Sequence, residues 1–341
     1  MKAMLSRAAG PPESLELADV DAPAPKDGEV LIRVAACGVN FPDALIIEDR
    51  YQFRPERPFA PGGEVSGTIE AVGAGVTGLT AGTRVLASVG WGGMAEQAVT
   101  GADRCVAIPE NMPFDEAAAF LMTYGTSYHA LVDRGHLKPG HTLLVLGAAG
   151  GVGTAAVELG KALGARVVAA CSSEEKLEVA RQCGADAGVV YPRGPFDREG
   201  ARQLADLFKS ACGPAGADVV YDAVGGDYSE AALRAIAWEG RFLVIGFPAG
   251  IARIPLNLAL LKGCEIAGVF WGDFIRRNPA RHAANVHELL VLYEKGQIRP
   301  RISKRFPLAR ASEAIAWLAS RHAVGKIVVV VDDAGQGLAS T

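Results

Sequence analysis

Residues 142–153, Thr142-Leu143-Leu144-Val145-Leu146-Gly147-Ala148-Ala149-Gly150-Gly151-Val152-Gly153, read as a buried strand running into a glycine turn, and residues 154–163 continue at once as a helix. Small residues at such a turn let the backbone approach a diphosphate. The helix start offers N–H groups that have no intrahelical partner, together with the positive end of its dipole. A second apolar strand at residues 165–170 completes a βαβ unit of about thirty residues. The glycine pattern is imperfect, because Ala148 takes the first glycine position and leaves Ala148-x-Gly150-x-x-Gly153. The βαβ context turns a weak motif into an expectation of dinucleotide binding at Ala149, Gly150, Gly151, Val152 and Gly153. The competing reading is a purely structural turn.

The end of the second strand indicates which dinucleotide. NAD sites usually place an Asp or Glu there for the ribose hydroxyls, whereas here Cys171, Ser172 and Ser173 stand, with Lys176 one helical turn on. Hydroxyls and a cation suit a 2′-phosphate that a carboxylate would repel, so NADPH is favoured over NADH. Glu174 and Glu175 are the complication. Ser172-x-x-Glu175 has the spacing of a capping box, which would turn Glu175 back onto its own helix.

A chain of 341 residues, half of them hydrophobic, is long enough for two cores. The net charge of -4 and the lack of a basic run give no reason to expect nucleic acid or a membrane as partner. The first residues, Met1 to Arg7, lack the apolar stretch of a signal peptide, and no eighteen-residue apolar run follows. The expectation is a soluble cytoplasmic protein. The six cysteines, Cys37, Cys105, Cys171, Cys183, Cys212 and Cys264, are scattered without a C-x-x-C pair, which fits reduced thiols. His282 and His287 are five apart on a predicted helix, so they do not share a face as two metal ligands would.

Before residue 120 the chain alternates short β segments with Gly and Pro punctuation: residues 29–34, 63–73, 83–87 and 94–99. From 121 to 262, apolar strands alternate with helices; after the first two come strands at 188–191, 217–222 and 241–246, which implies a parallel, doubly wound sheet. The tail has helices around 283–295 and 311–319 and a last strand at 326–331, and it is assigned back to the first domain. The predicted domains are therefore 1–120, 121–262 and 263–341, the third returning to the first, and residues 332–341 are expected to fray.

Four segments carry a family resemblance: Cys37-Gly38-Val39-Asn40-Phe41-Pro42-Asp43, Pro61-Gly62-Gly63-Glu64-Val65-Ser66-Gly67, Ala148 to Gly153, and Val220-Tyr221-Asp222-Ala223-Val224-Gly225. With them, over residues 1–332, the chain resembles a zinc-independent quinone oxidoreductase of the medium-chain dehydrogenase/reductase superfamily. The resemblance implies an α/β protein in which a GroES-like, β-rich catalytic domain is interrupted by a Rossmann domain, with the active site in the cleft between them. Asn40 stands where zinc-dependent relatives carry the first ligand cysteine, and Gly63 where their Gly-His-Glu motif carries the histidine. Residues 121–126 supply no third cysteine, and none lies between Ser88 and Arg104 for a structural zinc lobe. No metal is expected, since catalytic zinc needs three protein ligands.

The resemblance also implies roles. Asn40 would lie beside the nicotinamide and the acceptor. Relatives place a tyrosine five positions after it, here Leu45, and Tyr51 is the nearest replacement as proton donor. Thr126 matches a threonine near the nicotinamide ribose, with a helix cap as the bland alternative. Tyr191 and Arg193 match contacts to the 2′-phosphate, though Tyr191 could equally be core. Val224, Gly246 and Phe247 end strands at the switch-point crevice. Phe270, Trp271 and Gly272 resemble a segment near the nicotinamide that forms an intersubunit strand, and Lys326 resembles a residue closing over the cofactor. Three readings of activity stay open. NADPH reduces a quinone-like acceptor by hydride transfer, or it reduces an enoyl or alkenal double bond, or the chain binds NADPH without turnover. A small-molecule substrate and a homodimer are the expected partners.

Overall fold

The computed structural model describes residues 1–320 and 323–331, so the expected frayed tail, 332–341, lies outside them. The chain forms two compact units: Met1–Met122 completed by the segment from Pro300 onward, and Thr123–Arg299.

The first unit opens with an antiparallel pair, β1 (Lys2–Leu5) and β2 (Glu16–Asp19), which the sequence pattern did not reveal. Then come β3 (Glu29–Val39), β4 (Glu64–Val72), β5 (Arg84–Ser88), β6 (Gln97–Gly101) and β7 (Cys105–Ala107). β3 organises this unit, pairing antiparallel with both β4 and β6. Val30, Ile32 and Val34 alternate inward on it, as a half-buried strand requires, and they meet Val65, Ile69 and Val85 in one core.

The second unit contains β8 (Thr142–Leu146), β9 (Arg166–Cys171), β10 (Ala187–Val190), β11 (Ala217–Asp222), β12 (Ile236–Val244) and β13 (Glu265–Gly268). All pair in parallel, in the order β10-β9-β8-β11-β12-β13. This is the doubly wound Rossmann order, with its topological switch between β8 and β11. Leu143 to Leu146 and Val167 to Ala170 are fully buried, as a strand covered on both faces must be.

β14 (Ile302–Pro307) and β15 (Lys326–Val330) then return to the first unit, where β15 pairs antiparallel with β3 and β14 forms the sheet edge. Arg305 on β14 anchors this return with two hydrogen bonds to the Asp115 carboxylate, 2.9 and 2.5 Å. The return begins at Pro300 rather than at 263 as the sequence suggested. Two features hold residues 263–299 in the second unit. β13 takes its hydrogen bonds from β12, and Asn285 and Arg281 of the helix Pro279–Glu294 bind Asp133 at 2.7 and 2.9 Å. Among the described residues no helix is long and apolar enough to cross a membrane.

Candidate functional site

In the second unit the turn after β8 has the shape the motif promised, with one change of register. The left-handed conformation falls on Gly147 (φ +70), so Gly147 makes the turn that Ala148 could not. Gly153 serves close packing: a Cβ there would lie 2.1 Å from the Gly147 carbonyl oxygen. The helix Gly151–Ala162 begins here, and its first intrahelical bond runs from the Thr154 N–H to the Gly150 carbonyl at 2.8 Å. The N–H groups of Gly151, Val152 and Gly153 therefore precede the helical ladder, and no described residue accepts from them. They can receive a diphosphate.

Other strands brace this turn. The Cys171 thiol, at the end of β9, takes the N–H groups of Ala148 and Ala149, and burial pushes its pKa up to about 11. Ser127 is fully buried and donates to the Val152 carbonyl (3.1 Å), while the Tyr221 hydroxyl of β11 meets the same Oγ at 2.9 Å. Asp222 closes the neighbouring turn. Its Oδ1 accepts from Val224 and Gly225 N–H, both at 2.9 Å, and its Oδ2 from Ser229. Val224 packs against Gly147, Gly246 donates back to the Asp222 carbonyl (3.3 Å), and Phe247 is exposed beyond it. Val224, Gly246 and Phe247 thus stand on the turns that follow β11 and β12.

The helix after β9 starts one residue later than the capping-box reading. Ser173 is the cap, its Oγ accepting from the Lys176 N–H at 3.4 Å, so Glu175 does not hold the reciprocal position. Ser172 is left half-buried with no described partner for its hydroxyl, and Lys176 is half-buried on the first turn. Tyr191 lies in the core, its ring 4.9 Å from that of Tyr228 and edge-on to Phe208, and burial raises its pKa. Arg193, just beyond it, is exposed.

Trp271 is also core. It is 6 % exposed, stands edge-on to His282, and fills the space that a Cβ on Gly125 would need, 2.8 Å from the indole. Trp271–Arg277 is a helix, so the strand expected at Phe270, Trp271 and Gly272 is instead β13, just before them. Phe270 and Gly272 stay exposed. Thr126 sits within a continuous helical run, between π-type turns at Leu121–Gly125 and His129–Arg134, and is not a cap. Such turns are frequent at functional sites.

In the first unit, β3 ends at Asn40, which begins the short helix Phe41–Ile47. Asp43 turns back onto it, its carboxylate accepting from the Asn40 N–H (2.7 Å) and from the Gly62 N–H (3.1 Å). Burial raises the Asp43 pKa to about 6, against the pull of those hydrogen bonds. The Asn40 side chain is 7 % exposed and donates from Nδ2 to the Gly38 carbonyl (3.1 Å) and to Glu64 Oε2 (3.0 Å). Its Oδ1 receives the Lys326 ammonium at 2.6 Å. Lys326 is 4 % exposed and also donates to the Val39 carbonyl and to Glu64 Oε2, at 3.2 and 3.4 Å. Its ammonium is committed inside this cluster, whereas the sequence had placed it over the cofactor. Tyr51 is half-buried, packed on the core beside Phe53. Burial, and after it the Asp43 charge, raise the pKa of its phenol, and no described residue bonds its hydroxyl.

The sequence pointed to Asn40, whereas Asp43 and Glu64 entered only as members of the segments that carry the resemblance. Asn40-Phe41-Pro42-Asp43 does carry a legible helix-start signal, with a cap residue, an early proline and an acid three on. Cys171, Tyr221 and Asp222 lie in segments that the sequence singles out, but their bracing contacts, like those of Ser127, depend on which strands become neighbours. The donor set does not suit zinc. Asn40 and Gly63 replace two ligands, and a lysine ammonium fixed 2.6 Å from the Asn40 carbonyl would repel a dication.

Residues 26–110 match the family described as alcohol dehydrogenase GroES-like domain, and residues 151–288 the family described as zinc-binding dehydrogenase. A quinone oxidoreductase-like protein 2 homolog of Nematostella vectensis is 38 % identical over 305 residues, covering 88 % of this chain and 81 % of its own. A quinone oxidoreductase of Pongo abelii is 32 % identical over 89 % of this chain and 90 % of its own. The crystal structure of Escherichia coli quinone oxidoreductase complexed with NADPH superposes with a TM-score of 0.87 at 26 % identity, covering 97 % of this chain and all of the other. With the Rossmann strand order, the β-rich partner unit and the absence of zinc ligands at Asn40 and Gly63, these likenesses make the chain an oxidoreductase that belongs to the zinc-independent quinone oxidoreductases of the medium-chain dehydrogenase/reductase superfamily.

Proposed function

We propose that the protein uses NADPH to reduce quinone-like acceptors. The observation that carries this reading is the Asn40–Lys326 contact: at the position where the resemblance expects the first zinc ligand stands an amide whose oxygen is already held by an ammonium. A site so built offers no Lewis acid for an alkoxide and favours acceptors that delocalise the incoming charge themselves. Bound NADPH supplies the hydride. Gly151, Val152 and Gly153 would hold its diphosphate through their free N–H groups, with Ala149 and Gly150 shaping the turn, and Ser172 and Lys176 would select the 2′-phosphate. Asn40 and Tyr51 would face the acceptor and Thr126 the ribose.

Tyr51 favours the second reading, an enoyl or alkenal reductase, because its protonated hydroxyl is unbonded by the described residues and suits a proton donor. The discriminating experiment follows NADPH consumption by chelator-treated protein with 1,4-benzoquinone, a simple enone and crotonyl-CoA, beside NADH. Rapid, NADPH-selective quinone reduction is the expected result. Turnover of the enone or acyl-CoA alone would transfer the function to the second reading, and activity lost on chelation would overturn both.

We also infer a homodimer that joins at the edge strand β13. Around it Trp238, Leu256, Leu260 and Leu261 are exposed, and Ile266 on β13 itself is partly so. Trp238 reaches Gly263, at the start of that strand's approach, so the patch is contiguous with the edge. An unprotected apolar edge of this kind suits a second copy of the same strand.

A further inference from the structure

β15 reads Lys326-Ile327-Val328-Val329-Val330, and its lysine is as buried as its valines. An apolar side chain would serve stability as well or better, since replacing a buried ion pair with well-packed apolar groups is often neutral or stabilising. The placement of the ammonium therefore calls for another reason, and its contacts supply one.

We propose that Lys326 is a positioning residue which, together with Glu64, holds the Asn40 amide in a single orientation, so that Asn40 offers the reaction a hydrogen-bond acceptor. The proposal rests on the reading of Asn40 as an acceptor-side residue. A carboxamide flipped by 180° has nearly the same shape and opposite polarity, so packing alone does not choose between the two forms. Here the choice is made electrostatically at both ends. Lys326 Nζ donates to Oδ1 at 2.6 Å, and Glu64 Oε2 and the Gly38 carbonyl accept from Nδ2 at 3.0 and 3.1 Å. The flipped amide would face its NH2 to an ammonium and its oxygen to a carboxylate. Glu64 is itself held, its Oε1 accepting from the Met122 N–H at 2.8 Å, so it cannot turn to accommodate the flip.

Among the described residues both hydrogens of Nδ2 have partners, and Oδ1 accepts a hydrogen bond from Lys326, so a second lone pair can accept another. Asn40 thus pairs with an N–H or O–H group and does not polarise a carbonyl by donating to it. The other titratable groups around the cluster are Asp43, Cys37 and Tyr51. Asp43 binds the Asn40 backbone and not its amide, the Cys37 thiol is kept protonated by burial, and Tyr51 senses the cluster through the Asp43 charge.

The test compares two double variants in which Lys326 and Glu64 lose their charges together. Lys326→Met/Glu64→Gln removes the donor to Oδ1, and Lys326→Gln/Glu64→Gln restores one without the charge. Quinone reduction at saturating NADPH is measured together with exchange of the Asn40 side-chain amide protons, read by NMR on asparagine-labelled protein. The methionine variant should lose roughly 10- to 100-fold in kcat with KM for the quinone within about threefold, and its Asn40 amide protons should exchange faster. The glutamine variant should recover most of both. A methionine variant with wild-type kcat and slow exchange overturns the proposal, as does a glutamine variant as impaired as the methionine one. If the wild-type protein turns over no acceptor, the proposed function fails, and amide exchange still decides for or against the clamp.

Discussion

At the scale of single residues, charge in a buried place governs this protein. Asp43 has a pKa of about 6 in the fold against 3.8 for the free side chain, because burial penalises its charged form. The folded state therefore binds its proton more tightly than the unfolded chain. Its contribution is most favourable below about pH 3.8 and is lost as pH rises through about 6, a change of roughly 2–3 kcal/mol. In denaturant unfolding, the stability of the wild type relative to Asp43→Asn should fall by that amount between pH 4 and pH 7, and a difference independent of pH would refute it. Ser172 allows a complementary prediction. Ser172→Asp should weaken NADPH by about tenfold or more and spare NADH, as paired Kd measurements would show. Of these residues, Asn40 and Ser172 could be read from the sequence by type and place. The resemblance singled out Lys326 as well, but over the cofactor; its contact with Asn40 shows only once β15 is paired with β3.

At the scale of elements, local pattern was legible wherever a strand or helix was long and regular. β11 and the helix Ala311–Ala319 fall where the periodicity put them. The turns were less legible, because their geometry is settled by neighbours. Gly147 carries the left-handed residue that the motif assigned one position later, and Ser173, not Ser172, caps the helix after β9. β1 and β2 are four residues each and lack a strong apolar alternation of their own, so the pair was missed. The same tight geometry predicts a sensitive point. Gly153→Ala would drive a methyl into the Gly147 carbonyl, pushing the first helical turn away from the strand end. NADPH affinity should fall at least about tenfold, with a loss of stability of roughly 1–3 kcal/mol. Isothermal titration and thermal melting check both, and unchanged binding would show that the helix start does not hold the diphosphate.

At the scale of the whole molecule, the two-domain plan with a C-terminal return was legible from the change in strand spacing along the chain. The point of return was not, because the segment 263–299 is defined by pairing with β12 and by the Asp133 contacts rather than by its own composition. The proposed dimer is a prediction at this scale. Ile266→Lys combined with Leu260→Lys should convert a dimer to a monomer in light scattering, since a charged edge resists pairing with another edge, and a wild-type monomer would remove the proposal. The return of the chain has a further consequence for synthesis. Asn40 and Lys326 are 286 positions apart, with the entire second unit between them. At roughly 5–20 residues per second a ribosome needs about 15–60 s to deliver the partner of Asn40. A chain cut before β15 can still complete the Rossmann unit, yet it leaves the Asn40 amide without its Lys326 partner, so under the proposed clamp the orientation of that amide waits on β15.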